Sequence, residues 1–146
     1  MNQFTISIIV FVVVAIALYI YNKKTRSWKK FLAAHHPQIL YQETSVPTRM
    51  FVRAREARVK CDLYLTSNVM FFVVKDLIWW RVHLDQNYKA AFSNVFSGDY
   101  LLPKSSFTLI TEDRPHLYAE SKTPVKTYFK IYSANPDQLL DLIKKN

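Results

Sequence analysis

The sequence predicts a small mainly-β domain with added helices, carried behind an N-terminal transmembrane α-helix. Three observations carry that prediction. The first 22 residues hold no charged side chain, while all 20 Lys and Arg and all 11 Asp and Glu of the 146-residue chain follow them. Residues 59–66 alternate apolar and polar side chains with the period of two that marks strands, and residues 69–75, apolar on both faces, return after a Ser67-Asn68 turn. The chain closes on an amphipathic repeat, Leu139, Leu140, Leu142 and Ile143, able to cover one face of a sheet. The length suits one domain and leaves no room for a two-domain enzyme.

Phe4 to Tyr21 is the first element. Twelve of its eighteen residues are Ile, Val, Leu or Phe, and as a helix it is about 27 Å long, close to the thickness of a bilayer's hydrocarbon core. A cleaved signal peptide would carry its positive charge before the apolar run. Here the order is reversed, with Lys23, Lys24, Arg26, Lys29 and Lys30 all following it. The positive-inside rule therefore places the N-terminus outside and the C-terminal domain in the cytoplasm of a single-pass protein. A single cysteine, Cys61, fits a reducing compartment.

Residues 23–36 follow with Trp28, Phe31, Leu32 and His35 on one helical stripe before Pro37. This pattern suits a helix lying in the headgroup layer, with Lys23, Lys24, Arg26, Trp28, Lys29, Lys30 and Phe31 as the membrane-interface residues. The same charges also serve as plain topology signals. Beyond them, residues 31–146 carry a net charge of only +4, too mild to argue for nucleic acid, and no RNA-binding or zinc-finger signature accompanies it. Residues 38–48, which contain Pro47, read as a connector. The expected organisation is thus 1–22 anchor, 23–48 basic segment and linker, 49–146 folded domain.

Within that domain, residues 59–66 form a strand, Ser67 and Asn68 turn it, and residues 69–75 return as a hairpin. Residues 77–84 add a third strand, with Ile78, Trp80, Val82 and Leu84 inward and Trp79 outward. Tyr88, Ala91, Phe92, Val95 and Phe96 change to helical spacing, with Gly98 as a left-handed stop. Three further strands are expected at residues 106–111, 116–120 and 125–133. Asn135 and Pro136 then open the last helix as N-cap and first residue.

This order, a basic first hairpin, six or seven antiparallel strands and a final amphipathic helix, resembles the pleckstrin-homology (PH) superfold with its GRAM and bacterial PH-like branches. The stretch KCDLYLTSNVMFF, residues 60–72, is similar to a GRAM-type strand pair, although Cys61 stands where that strand usually has Gly and the helix near 88–97 is an insertion. The resemblance implies an antiparallel barrel or sandwich over residues 49–146. It also implies that Arg49, Arg53, Arg55, Arg58 and Lys60, in the first two strands and their loop, contact phosphates. Alternating arginines equally suit a solvated strand face.

No catalytic constellation stands out. Cys61 shares a face with Leu63 and Leu65, as a small core residue does. His83 has Asp85 two residues on but no third group, and His35 and His36 point about 100° apart on a helix. Neither a cofactor nor a metal is implied. The reading is a non-enzymatic membrane-anchored module that contacts anionic lipid headgroups or a membrane protein partner, with Trp79 added to the basic residues as a contact. The alternative is an accessory or assembly subunit of a larger membrane complex.

Overall fold

A computed structural model describes residues 2–52, 54–85, 98–121 and 126–146, without the side chains of Asn22 and Lys23. The expected helix at residues 88–96 and Arg53 lie outside the described residues. Among these, the chain forms a long apolar helix, an eight-stranded sheet curled into a half-barrel, and a C-terminal helix.

Helix α1 runs from Gln3 to Thr25. Its segment Gln3–Tyr21 is long and apolar enough to cross a membrane, and none of it is buried by the rest of the chain. Ser7 and Thr25 turn their hydroxyls back onto the helix, donating to the carbonyls of Gln3 and Tyr21.

The strands are β1 (Tyr41–Val52), β2 (Arg55–Leu65), β3 (Val69–Val74), β4 (Leu77–His83), β5 (Asp99–Leu101), β6 (Phe107–Ile110), β7 (His116–Ser121) and β8 (Thr127–Ile131). Their order across the sheet is β5-β4-β3-β2-β1-β8-β7-β6. The meander β2-β3-β4 follows the alternation in the sequence. Two features correct it. Strand β5, not expected, joins β4 in parallel, so the sheet is mixed. Strand β1 begins at Tyr41, inside the expected connector, and continues through Pro47.

Proline in a central strand loses one ladder donor. Here the loss falls where pairing to β8 stops: the register with β8 begins at Thr48, and the Pro47 carbonyl still accepts the Tyr132 N–H at 3.0 Å. A bulge between Glu43 and Val46, with Ser45 at φ 56°, adjusts the strand just before it.

The concave face holds the main core. Leu63, Met70, Phe72, Trp80, Phe107, Leu117, Phe129 and Ile131 meet there, with Phe129 stacked on Phe72 at 5.2 Å. Helix α3 (Pro136–Lys145) covers it with Leu139 and Ile143, both fully buried. Asn135 does not cap this helix with its side chain. Glu43 accepts the Ala134 N–H at 2.7 Å and the hydroxyls of Tyr41 and Ser133, which pins to β1 the turn that leads into the helix.

The outer face carries a second, smaller core. Helix α2 (Trp28–His35) lies on it, with Trp28 buried against Phe71 and Tyr64 and with Phe31 and Leu32 beside them. The apolar stripe expected to face lipid thus faces the sheet, because Phe71, Val73 and Ile78 form an apolar patch wide enough to take it. Asp76, in the β3–β4 turn, fixes this docking. Its carboxylate accepts the Ser27 hydroxyl and the Lys29 N–H, both at 2.9 Å, while the backbone exchanges Trp28 N–H to Asp76 and Ile78 N–H to Arg26, both at 2.8 Å. Asp76→Ala removes the acceptor for two donors at a helix start, so it is expected to lower stability by about 1–3 kcal/mol, read as a shift in the urea midpoint followed by tryptophan fluorescence.

Candidate basic groove

Alternation along four adjacent strands arranges the outer face of the sheet into rows. Directly opposite pairs place Arg58 against Arg49 and Arg49 against Lys130, and Lys130 in turn faces Tyr118. Three cations therefore stand side by side across β2, β1 and β8. On one side of this row lie Glu56, Phe51, Tyr128 and Glu120, and on the other Lys60 and Pro47, with Tyr132 bonded to the latter.

Like charges directly opposite in a sheet are destabilising, and the structure offsets this row only in part. Glu56 binds Arg58 at 2.7 Å; that hydrogen bond, with the charges of Arg49 and Lys130 nearby, holds the Glu56 carboxyl below its usual range. Lys130 lies over the Tyr128 ring at 5.8 Å, and Arg49 over Tyr132 at 5.7 Å. From the β6–β7 turn, Arg114 reaches the same Tyr132 ring at 5.0 Å. Stacking of Phe51 on Tyr128 at 5.0 Å stiffens the neighbouring row.

Between these side chains is a concavity of about 430 Å³, lined by Arg49, Arg58, Lys60, Arg114 and Tyr132 over a floor of Pro47, Thr48 and Val59. Among the described residues no carboxylate lines it. Its chemistry is that of an anion site: guanidinium groups that bind phosphate or carboxylate oxygens in pairs, an ammonium, and an aromatic platform.

Of the residues expected from sequence, Arg49, Arg58 and Lys60 come together here. Arg55 is exposed at the hairpin end opposite Val52, away from the groove, and Arg53 lies outside the described residues. Trp79 is at the far side of the sheet on β4. Arg114 and Tyr132 were not singled out in sequence. Nothing local could mark them, since they enter only because β8 lies beside β1.

The basic segment divides. Lys24, Lys29 and Lys30 are exposed, the Lys23 side chain is outside the described residues, and Trp28 is buried. Arg26 folds inward, its guanidinium donating to the Trp79 carbonyl at 3.2 Å. Burial and the nearby Arg81 lower its pKa while Asp99 acts to raise it; an arginine stays charged throughout.

The candidates for chemistry resolve differently. Cys61 is 2% exposed, in contact with the Thr48 hydroxyl at 3.4 Å and the Val46 carbonyl at 3.6 Å. His83 is oriented by Asp99, not by Asp85: its Nε2 lies 3.1 Å from an Asp99 oxygen that is also 3.0 Å from Arg81 Nε. Asp99 is itself buried, so this cluster interlocks β4 and β5. Among the described residues no group of three or more His, Cys, Asp or Glu is placed to hold a metal ion. Comparison with known protein families, with curated proteins and with solved structures finds no match to this chain.

Burial pushes the Cys61 thiol up to about 11. Burial first, and then the bond to Glu120, push Tyr118 to about 12, and burial also raises Tyr41 and Tyr64. All four are acids whose folded form holds its proton longer than the unfolded chain. The unfolded state therefore loses protons first as pH rises from about 8.5 to about 12, and stability falls across that window. A urea midpoint that declines steadily from about pH 8.5 upward is expected. Cys61 should also resist a water-soluble thiol reagent at about pH 8 until the protein is unfolded.

Proposed function

We propose that this chain is a single-pass membrane protein whose cytoplasmic PH-like domain binds the phosphate of an anionic lipid headgroup in the groove between β1, β2, β8 and the β6–β7 turn. The observation that carries this reading is the row Arg58, Arg49 and Lys130, set in directly opposite pairs beside a concavity to which Arg114 and Lys60 add two more cations. Such a row raises the energy of the empty domain. An anion seated on it relieves that repulsion while accepting charge-assisted hydrogen bonds, so binding and stability are linked.

The reading is supported by the rest of the chain. Helix α1 has the length and composition of a span, and the basic residues that follow it favour the cytoplasmic side for the domain. A tethered site needs little intrinsic affinity, since the tether holds it at an effective headgroup concentration in the ~mM range. The curled sheet with its C-terminal helix suits the PH-like architecture, in which the first strands carry the phosphate contacts.

The test uses the full-length protein in mild detergent, titrated with short-chain phosphatidic acid as a soluble phosphate-bearing lipid and with short-chain phosphatidylcholine as control. Phosphatidic acid is expected to bind in preference and to raise the melting temperature. Arg49→Gln and Arg114→Gln are each expected to weaken it roughly tenfold, as loss of a hydrogen bond to a charged group does, and added salt to weaken it further. Equal binding of both lipids, or an affinity indifferent to both substitutions, would overturn the assignment.

A further inference from the structure

Outside the groove, one surface feature stands apart. Among the described residues, every large apolar side chain that is strongly exposed belongs to α1, except Trp79, which is 43% exposed. Its position has a local cause. Phe72 pairs with Trp80 and Val73 with Ile78, so Trp79 is the extra residue of a β-bulge. A bulge re-aims a side chain and frees a carbonyl from the ladder. That carbonyl accepts the Arg26 guanidinium, one residue beyond the end of α1. Gly98 permits the arrangement: a Cβ there would lie 2.4 Å from the Trp79 oxygen and 2.5 Å from the Arg26 guanidinium.

Distance along the chain then decides what Trp79 meets. The apolar segment ends at Tyr21, and α1 continues unbroken to Thr25. Four residues of helix rise about 6 Å, which is about the depth of a headgroup layer. Arg26 is already bonded to β4 at that point, so no free linker lifts the domain away. Lys24, Lys29 and Lys30 are exposed around the same junction, their charge complementary to lipid phosphates, and tryptophan is the residue that favours this depth.

We propose that Trp79, with Lys24, Lys29 and Lys30, is a contact surface for the headgroup layer of the bilayer that holds α1, so that the domain rests on its own leaflet by the β4–β5 end of the sheet. This rests on α1 being a span, but it does not depend on what the groove binds.

The full-length chain is reconstituted into nanodiscs of phosphatidylcholine alone, which lacks the net negative charge the groove would select, with and without phosphatidylcholine brominated high on its acyl chains. Trp28 and Trp80 are buried in the domain, so quenching by bromine is expected to fall about twofold or more in Trp79→Phe. Unchanged quenching in that variant overturns the proposal. A second measurement leaves Trp79 in place: a Gly-Ser segment inserted between Thr25 and Arg26 is expected to raise acrylamide quenching about twofold as the indole leaves the interface, and equal acrylamide access with and without the insert overturns the proposal too. Failure of the chain to enter nanodiscs at all counts against the span itself, whereas normal lipid quenching with no phosphatidic acid binding counts against the groove alone.

Discussion

Strand β1 is bonded along both edges, to β2 over most of its length and to β8 over Thr48–Val52. That double pairing is the constraint on which the rest of the domain depends. It joins the N-terminal meander to the C-terminal strands, so that Phe72 and Phe129 can share one core. It also sets Glu43 where it holds the turn before α3, and it lines up the cations of β2, β1 and β8. Without it, the chain would be two half-sheets, each too small to bury its apolar face.

The two charged clusters of the domain differ in how their electrostatics are settled. Around the buried Asp99 carboxylate, the half-buried Arg81 guanidinium and His83 imidazole approach to 3.0 Å and 3.1 Å, an arrangement that favours a fixed geometry. Among the described residues the groove's cations outnumber their partners, with Glu56 paired to Arg58 and aromatic faces taking part of the remainder. Excess charge of one sign in a concavity focuses field and attracts a counter-charge. The first cluster has the form of a structural joint, whereas the second concentrates positive charge in a concavity.

Helix α2 links these regions to α1. Its sequence has the amphipathic, basic character of a helix that lies on a membrane, yet its apolar stripe is satisfied by Phe71, Val73 and Ile78. An amphipathic stripe specifies that an apolar surface must be met, not which one. Asp76 makes the choice for the sheet by holding Ser27 and Lys29, and the side chains of Lys29 and Lys30 are thereby left outward while Arg26 folds inward.

Much of the architecture was legible from local pattern. The uncharged run before Lys23, the period of two through residues 59–66 and the spacing of Leu139, Leu140, Leu142 and Ile143 each depend on neighbours a few residues apart, and each became the expected element. Half of the groove, Arg49, Arg58 and Lys60, was visible because it sits on one hairpin. What only the tertiary structure decided involves partners far apart in the chain: β1 running through Pro47 because β8 ends its pairing there, Arg114 and Tyr132 completing the groove, Asp99 rather than Asp85 holding His83, and a bulge exposing Trp79. Periodicity reports which side of an element is apolar. Which element lies across from it is set by closure of the common core, a property of the whole chain that no window of sequence contains.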